Sequence, residues 1–233
     1  MKTRIFIIMA SLLFYVLPDA NASKSLTVFA PSSLTAFLTP VASSYESTHP
    51  GVRIEFSFSA STTLSTQIKS GAPADIFISA SPMEMIGIAR GKNFVSNRVV
   101  LAIPKSSSIT KMTDLNQTIT WIQCAFEVPC GAATKAALRY ENVMSKPVSL
   151  EPKVSNVLSK LMAGEVDAAF IYVTDVLANK DKLKAIEFKN MKAASTTYQI
   201  ARLKKTEIAS DFYRYLRSKQ VINFLLSKGF KPS

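Results

Sequence analysis

Five positions in this chain put a neutral hydrogen-bond donor where a strand hands over to a helix. Ser33 follows the apolar run LTVFA and precedes LTAFLTPVASSYES, whose spacing is helical. Ser61, in SASTTL, stands between a second strand, GVRIEFSFSA, and a short helix ending on Gly71. Cys130, in VPCG, opens a helix predicted to begin near Ala132, and Val154 opens another after Pro152 and Lys153. Tyr172, in FIYVTD, surfaces at the end of a buried strand. Backbone N–H groups at a helix N-terminus are unpaired and carry roughly half a positive charge, which attracts anions. Hydroxyls and phenols converging on the same place add further protons to give. Such a set fits a guest that only accepts, a fully deprotonated anion; a proton-bearing anion would want an acceptor, such as a carboxylate, that the set does not contain. Taken singly, each serine reads as an ordinary helix cap and the tyrosine as a strand-end aromatic. Asp175, three residues past Tyr172, is expected to cap the next helix rather than to touch a ligand. The recurrence is what points to a site.

The elements that must carry these donors alternate. Leu34, Phe37, Leu38, Val41 and Tyr45 form one helical face, with Pro40 inside it expected to kink the helix. ADIFISA is a nearly continuous apolar strand, as in a parallel sheet covered on both faces. NRVVLAIPKSS then carries the chain out of a first lobe. The pattern repeats through TITWIQCA, GAATKAALRYENV, KPVSL, a helix with Val154, Val157, Leu158 and Leu161 inward, and VDAAFIYV followed by TDVLANKDK. TTYQIARLKK reads as a second crossover strand. The end of the chain reads as one or two amphipathic helices with Phe212, Tyr215, Leu216, Ile222, Leu225 and Leu226 inward. This order predicts an α/β protein of two lobes, each a mixed, mainly parallel sheet flanked by helices. Residues 23–104 and 196–233 are expected to form lobe 1 and residues 105–195 lobe 2. A ligand would lie in the cleft between them, outside the carboxyl ends of the strands.

The start of the chain has the layout of a secretory leader: a basic MKTR, the apolar core IFIIMASLLFYVL, and Ala20-Asn21-Ala22 as a small-x-small cleavage site. Residues 1–22 are therefore expected to be a cleaved signal peptide, giving an exported, periplasmic or extracytoplasmic protein. Its removal takes Lys2, Arg4 and Asp19 and lowers the formal net charge of +12 by one. From Ala178 onward 13 Lys and Arg face four Asp and Glu, which reads as a solvated basic face; no nucleic-acid reader motif accompanies it. Export and an even cysteine count predict a disulfide between Cys124 and Cys130 in QCAFEVPCG. The single histidine, His49, sits in the turn THPG, and no G-x-S-x-G occurs, so a serine hydrolase lacks its base and its elbow. A histidine-rich metal site is excluded by the same count.

The segments TVFAPSSLTAFL, FSFSASTTLSTQIKSGAPADIFISA, CAFEVPCGAATKAAL and EVDAAFIYVTD resemble the periplasmic molybdate-binding proteins of ABC uptake systems, which are type II solute-binding proteins. The resemblance implies a two-lobed binding protein, not an enzyme, that takes up molybdate or tungstate and needs no cofactor. It also implies a membrane ABC permease as partner, with the binding protein expected to be a monomer. Carried across by motif, the oxyanion donors fall on the side chains of Ser33, Ser61 and Tyr172 and on the N–H groups of Cys130 and Val154. Protein donors would meet the oxygens of molybdate, with no direct ligation of its metal. Pro31-Ser32 departs from the family pattern of small residues, so Ser32 competes with Ser33 as the donor. Cysteine at 130 is compatible because only its backbone is used. The donor set favours molybdate, tungstate or sulfate over phosphate, and only size separates molybdate from sulfate. The rival readings are a sulfate or other tetrahedral-oxyanion binder of the same fold and, more remotely, a secreted hydrolase.

Overall fold

The computed structural model describes residues 24–233, so the expected leader, residues 1–22, lies outside the described residues. Strand β1 (Lys24–Pro31) leads through a 3-10 turn, Ser32–Leu34, into helix α1 (Thr35–Thr48). Strand β2 (Val52–Ser59), helix α2 (Ser61–Lys69) and strand β3 (Ile76–Ser79) follow. β2 and β3 both pair in parallel with β1, so all three strands point their carboxyl ends the same way. β3 is buried along its whole length, as its unbroken apolar run requires.

The chain then crosses through β4 (Lys92–Pro104) into a second unit. This unit holds β5 (Trp121–Cys124), α3 (Pro129–Leu138), β6 (Ser149–Glu151), α4 (Val154–Met162), β7 (Ala168–Tyr172), α5 (Val173–Ala178) and β8 (Leu183–Ile186). β6 and β7 run parallel to β5. The return is through β9 (Ser195–Arg202), antiparallel to both β3 and β4. Helices α6 (Glu207–Leu216) and α7 (Lys219–Ser227) close the chain. The strands form one path, β2-β1-β3-β9-β4-β7-β5-β6, with β8 alongside β4. This is the α/β, mainly parallel arrangement expected.

Apolar side chains gather in separate cores. One joins β1, β3, α1, α6 and α7 through residues such as Leu26, Ile76, Leu38, Phe212 and Leu225. Another joins β5, β7, α3 and α4 through Trp121, Phe170, Ala137 and Val157. β4 serves both: Phe94 and Val95 belong to the first, and Val99 to Ile103 to the second. The end of the chain touches both units. Phe230 is buried, edge-on to Phe37 at 5.1 Å and to Tyr198 at 5.9 Å. Lys231 exchanges backbone hydrogen bonds of 2.8 and 2.9 Å with Ser96 of β4. Gly229, at φ +101°, packs so close to α5 that a Cβ there would lie 2.4 Å from Leu177 Cδ1.

Some local details differ from the sequence expectations. α3 begins at Pro129 rather than near Ala132, because proline at the first helical position gives up an N–H that would be unpaired anyway. β4 starts at Lys92, since its polar first part pairs with β9. β8 had no strand signature of its own and is held by pairing with β4.

Candidate functional site

Every strand pointing its carboxyl end at the junction between the two units delivers one wall of a small cleft. Ser32 and Ser33 reach it from the end of β1, Ser61 from the start of α2, Cys130 from α3, Val154 from α4, and Tyr172 from the end of β7. The five sequence-predicted donors are thus brought together, three from the second unit and two from the first. The cleft has a cavity volume of only about 20 Å³. That suits a guest of a few atoms, far below the volume of an ordinary organic ligand site.

Neither serine caps a helix, which removes the ordinary reading of both. Ser61 is the first residue of α2, after the N-cap Ala60. Its Oγ accepts a 3.0 Å hydrogen bond from the Ala80 N–H, leaving its proton to give. Ser33 lies in the 3-10 turn, buried, with its Oγ 2.8 Å from the Tyr198 hydroxyl. Ser32 is less buried and also lines the cleft, so both serines of the pair face it.

Cys130 occupies the second position of α3 and Val154 the first of α4. Neither N–H finds an acceptor among the described residues, as expected of helix starts. The disulfide between Cys124 and Cys130 closes the loop that leads into α3. Gly131 is required there, because a Cβ would stand 1.9 Å from the Ala125 carbonyl oxygen. Ala125 N–H in turn donates to the Glu151 carbonyl at 2.8 Å, which ties the disulfide loop to the end of β6 just before α4. Lys160 pairs with the buried Glu151 carboxylate at 2.5 Å. Burial alone would raise that carboxyl, but the hydrogen bonds from Lys160 and Ser149 take it below its usual range. The two helix starts are therefore held together by one braced backbone segment.

Burial lifts the phenols of Tyr172 and Tyr198 well above their ordinary range, so both stay protonated donors at any physiological pH. Asp175 does what the sequence predicts: its carboxylate accepts from the Tyr172 N–H at 3.3 Å, at the first turn of α5. Burial pushes its carboxyl up to about 7, against the pull of that hydrogen bond. No group of three or more His, Cys, Asp or Glu able to hold a metal ion occurs among the described residues.

Sequence reasoning missed three parts of this site. Tyr198 gave only the alternation of a crossover strand, in which Thr196, Tyr198 and Ile200 share the buried face. Ser59 and Ala80, at the ends of β2 and β3, line the cleft without any local motif. Lys153, known from sequence only as a helix opener, lines it too; it is the N-cap of α4, half-buried, and the one cationic residue on the wall.

A cleft of this kind, at the carboxyl ends of two parallel strand sets, is the arrangement of the two-lobed solute-binding fold. The chain belongs to the bacterial extracellular solute-binding proteins, whose family model matches residues 26–231. It is 32% identical over 196 residues to the molybdate-binding protein ModA of Mycobacterium tuberculosis, an alignment covering 80% of this chain and 75% of that one. The periplasmic molybdate-binding protein of Azotobacter vinelandii shares the fold with a TM-score of 0.78 at 18% identity, over 89% of this chain and 99% of that one. The sulfate-binding protein SubI of M. tuberculosis shares it with a TM-score of 0.73 at 14% identity, over 90% and 87%.

Proposed function

We propose that this protein captures molybdate in the interlobe cleft and presents it to a membrane ABC permease. The observation that carries the reading is the convergence of Ser33, Ser61, Tyr172 and the N–H groups of Cys130 and Val154 on one cleft of a few atoms' width. Relatives that bind molybdate support the choice of guest. Each donor meets an oxygen of the anion; none touches the metal. Tungstate, of the same charge and shape, is the expected second guest. The two lobes close on the anion, and the closed form is what a permease recognises. The protein acts as an exported, cofactor-free monomer.

Of the three apolar clusters, two lie in the first unit and one in the second, which supports a two-lobe division of the kind expected from sequence, and the split along β4 favours a crossing near Ser96 and Asn97. Sulfate is the second reading, supported by the same all-donor chemistry; the size of the closed cleft separates the two. Titration calorimetry with molybdate, tungstate, sulfate and phosphate tests the assignment. Tight binding of molybdate and tungstate with weak sulfate and weaker phosphate is expected, whereas sulfate binding tighter than molybdate would overturn it.

A further inference from the structure

We propose that Tyr198 sets the polarity of the cleft: its hydroxyl donates to Ser33 Oγ, so that Ser33 must turn its own proton toward the guest. The inference rests on the proposed anion-binding role of Ser33. Tyr198 is fully buried on crossover strand β9, and its hydroxyl stands 2.8 Å from Ser33 Oγ. Geometry alone allows either atom to donate. Two arguments choose the direction. A phenol is a far stronger acid than an aliphatic hydroxyl and is the better donor of the two. An acceptor-only guest also needs the Ser33 proton, and only the Tyr198-to-Ser33 direction leaves that proton free.

Ser61 provides the comparison. The group seated on its oxygen is the backbone N–H of Ala80, at 3.0 Å, which can only donate. Ser33 and Ser61 thus each have a protein donor on the acceptor side and one proton to give. At Ser61 that direction is fixed by the covalent chemistry of the backbone. At Ser33 it depends on one side chain, packed edge-on against Phe230 and set 6.2 Å, ring to ring, from Tyr172. Tyr198 is therefore a positioning residue and a determinant of specificity: with its hydroxyl gone, Ser33 can accept from a proton-bearing anion.

The test is a double-mutant cycle on the exported, folded protein, read by titration calorimetry with molybdate and with inorganic phosphate. Tyr198→Phe removes only the hydroxyl and is expected to weaken molybdate binding about tenfold. The molybdate-to-phosphate preference should fall with it, a change that general loosening of the fold would not produce. In a Ser33→Ala background the same substitution should cost nothing further. Equal losses in both backgrounds, or wild-type affinity in Tyr198→Phe, would overturn the proposal while leaving the anion site standing. Unchanged molybdate binding in Ser33→Ala would instead bring down the anion-site reading and this inference with it. If Tyr198→Phe does not fold, 3-fluorotyrosine at 198 replaces it. Its more acidic phenol donates more strongly, so molybdate should bind tighter; equal or weaker binding overturns the proposal.

Discussion

Ser61 has one proton to give and one donor already seated on its oxygen. Truncating it has two separable costs. Ser61→Ala removes a donor to a charged guest, which should weaken molybdate binding by at least about tenfold. It also leaves the Ala80 N–H unpaired in a buried setting, for a stability loss of about 1–2 kcal/mol by chemical denaturation. Tyr172→Phe should lose affinity to a similar degree with little change in stability. Asp175 behaves differently, because its folded carboxyl titrates near 7, above the ordinary carboxylate range of an unfolded chain. A raised folded pKa gives stability that is full below the unfolded value and is lost as pH rises through about 7. Melting temperature should therefore contain a component that falls between about pH 4 and pH 7, and Asp175→Asn should flatten it. The five proposed donors could be picked out from the sequence because each sits at a strand-to-helix handover, and the structure brings all five to one cleft. Tyr198 was not, since a tyrosine in mid-strand looks like any core aromatic until the fold shows what its hydroxyl meets.

At the level of elements, the start of α3 is the most constrained part of the site. The disulfide, the close approach of Gly131 to Ala125, and the bond from Ala125 to Glu151 converge on one turn. Gly131→Ala drives a methyl into the Ala125 carbonyl and should cost about 3 kcal/mol or more, seen as a lower denaturation midpoint. Reduction of Cys124–Cys130 should lower molybdate affinity in titration calorimetry, because the Cys130 N–H loses its fixed direction; unchanged affinity would show that Gly131 and Glu151 suffice to hold it. Apolar runs such as ADIFISA and VDAAFIYV announced their strands because both faces are covered. The start of β4 and all of β8 did not, because those segments are held by pairing rather than by burial of their own side chains. The beginning of α3 was read late for a related reason: proline reads as a breaker until it is placed at a helix start.

The whole molecule is two units joined by β4 and β9, the first with an apolar cluster on each face of its sheet, and the lining of the cleft is divided between the units. A ligand held by both halves stabilises only the folded, closed form. Molybdate at 100 times its dissociation constant should add about 2.7 kcal/mol, or several degrees in a thermal melt. The α/β order and the cleft position were readable from the alternation of strands and helices, whereas the role of residues 229–231 was not. Phe230 is buried against Phe37 and Tyr198, Gly229 presses on Leu177, and Lys231 is bonded to Ser96. Residues 229–231 thus form a latch across the joint. Emptying that latch by Phe230→Ala would remove the ring that backs Tyr198, and so loosen from a distance the hydroxyl that steers Ser33.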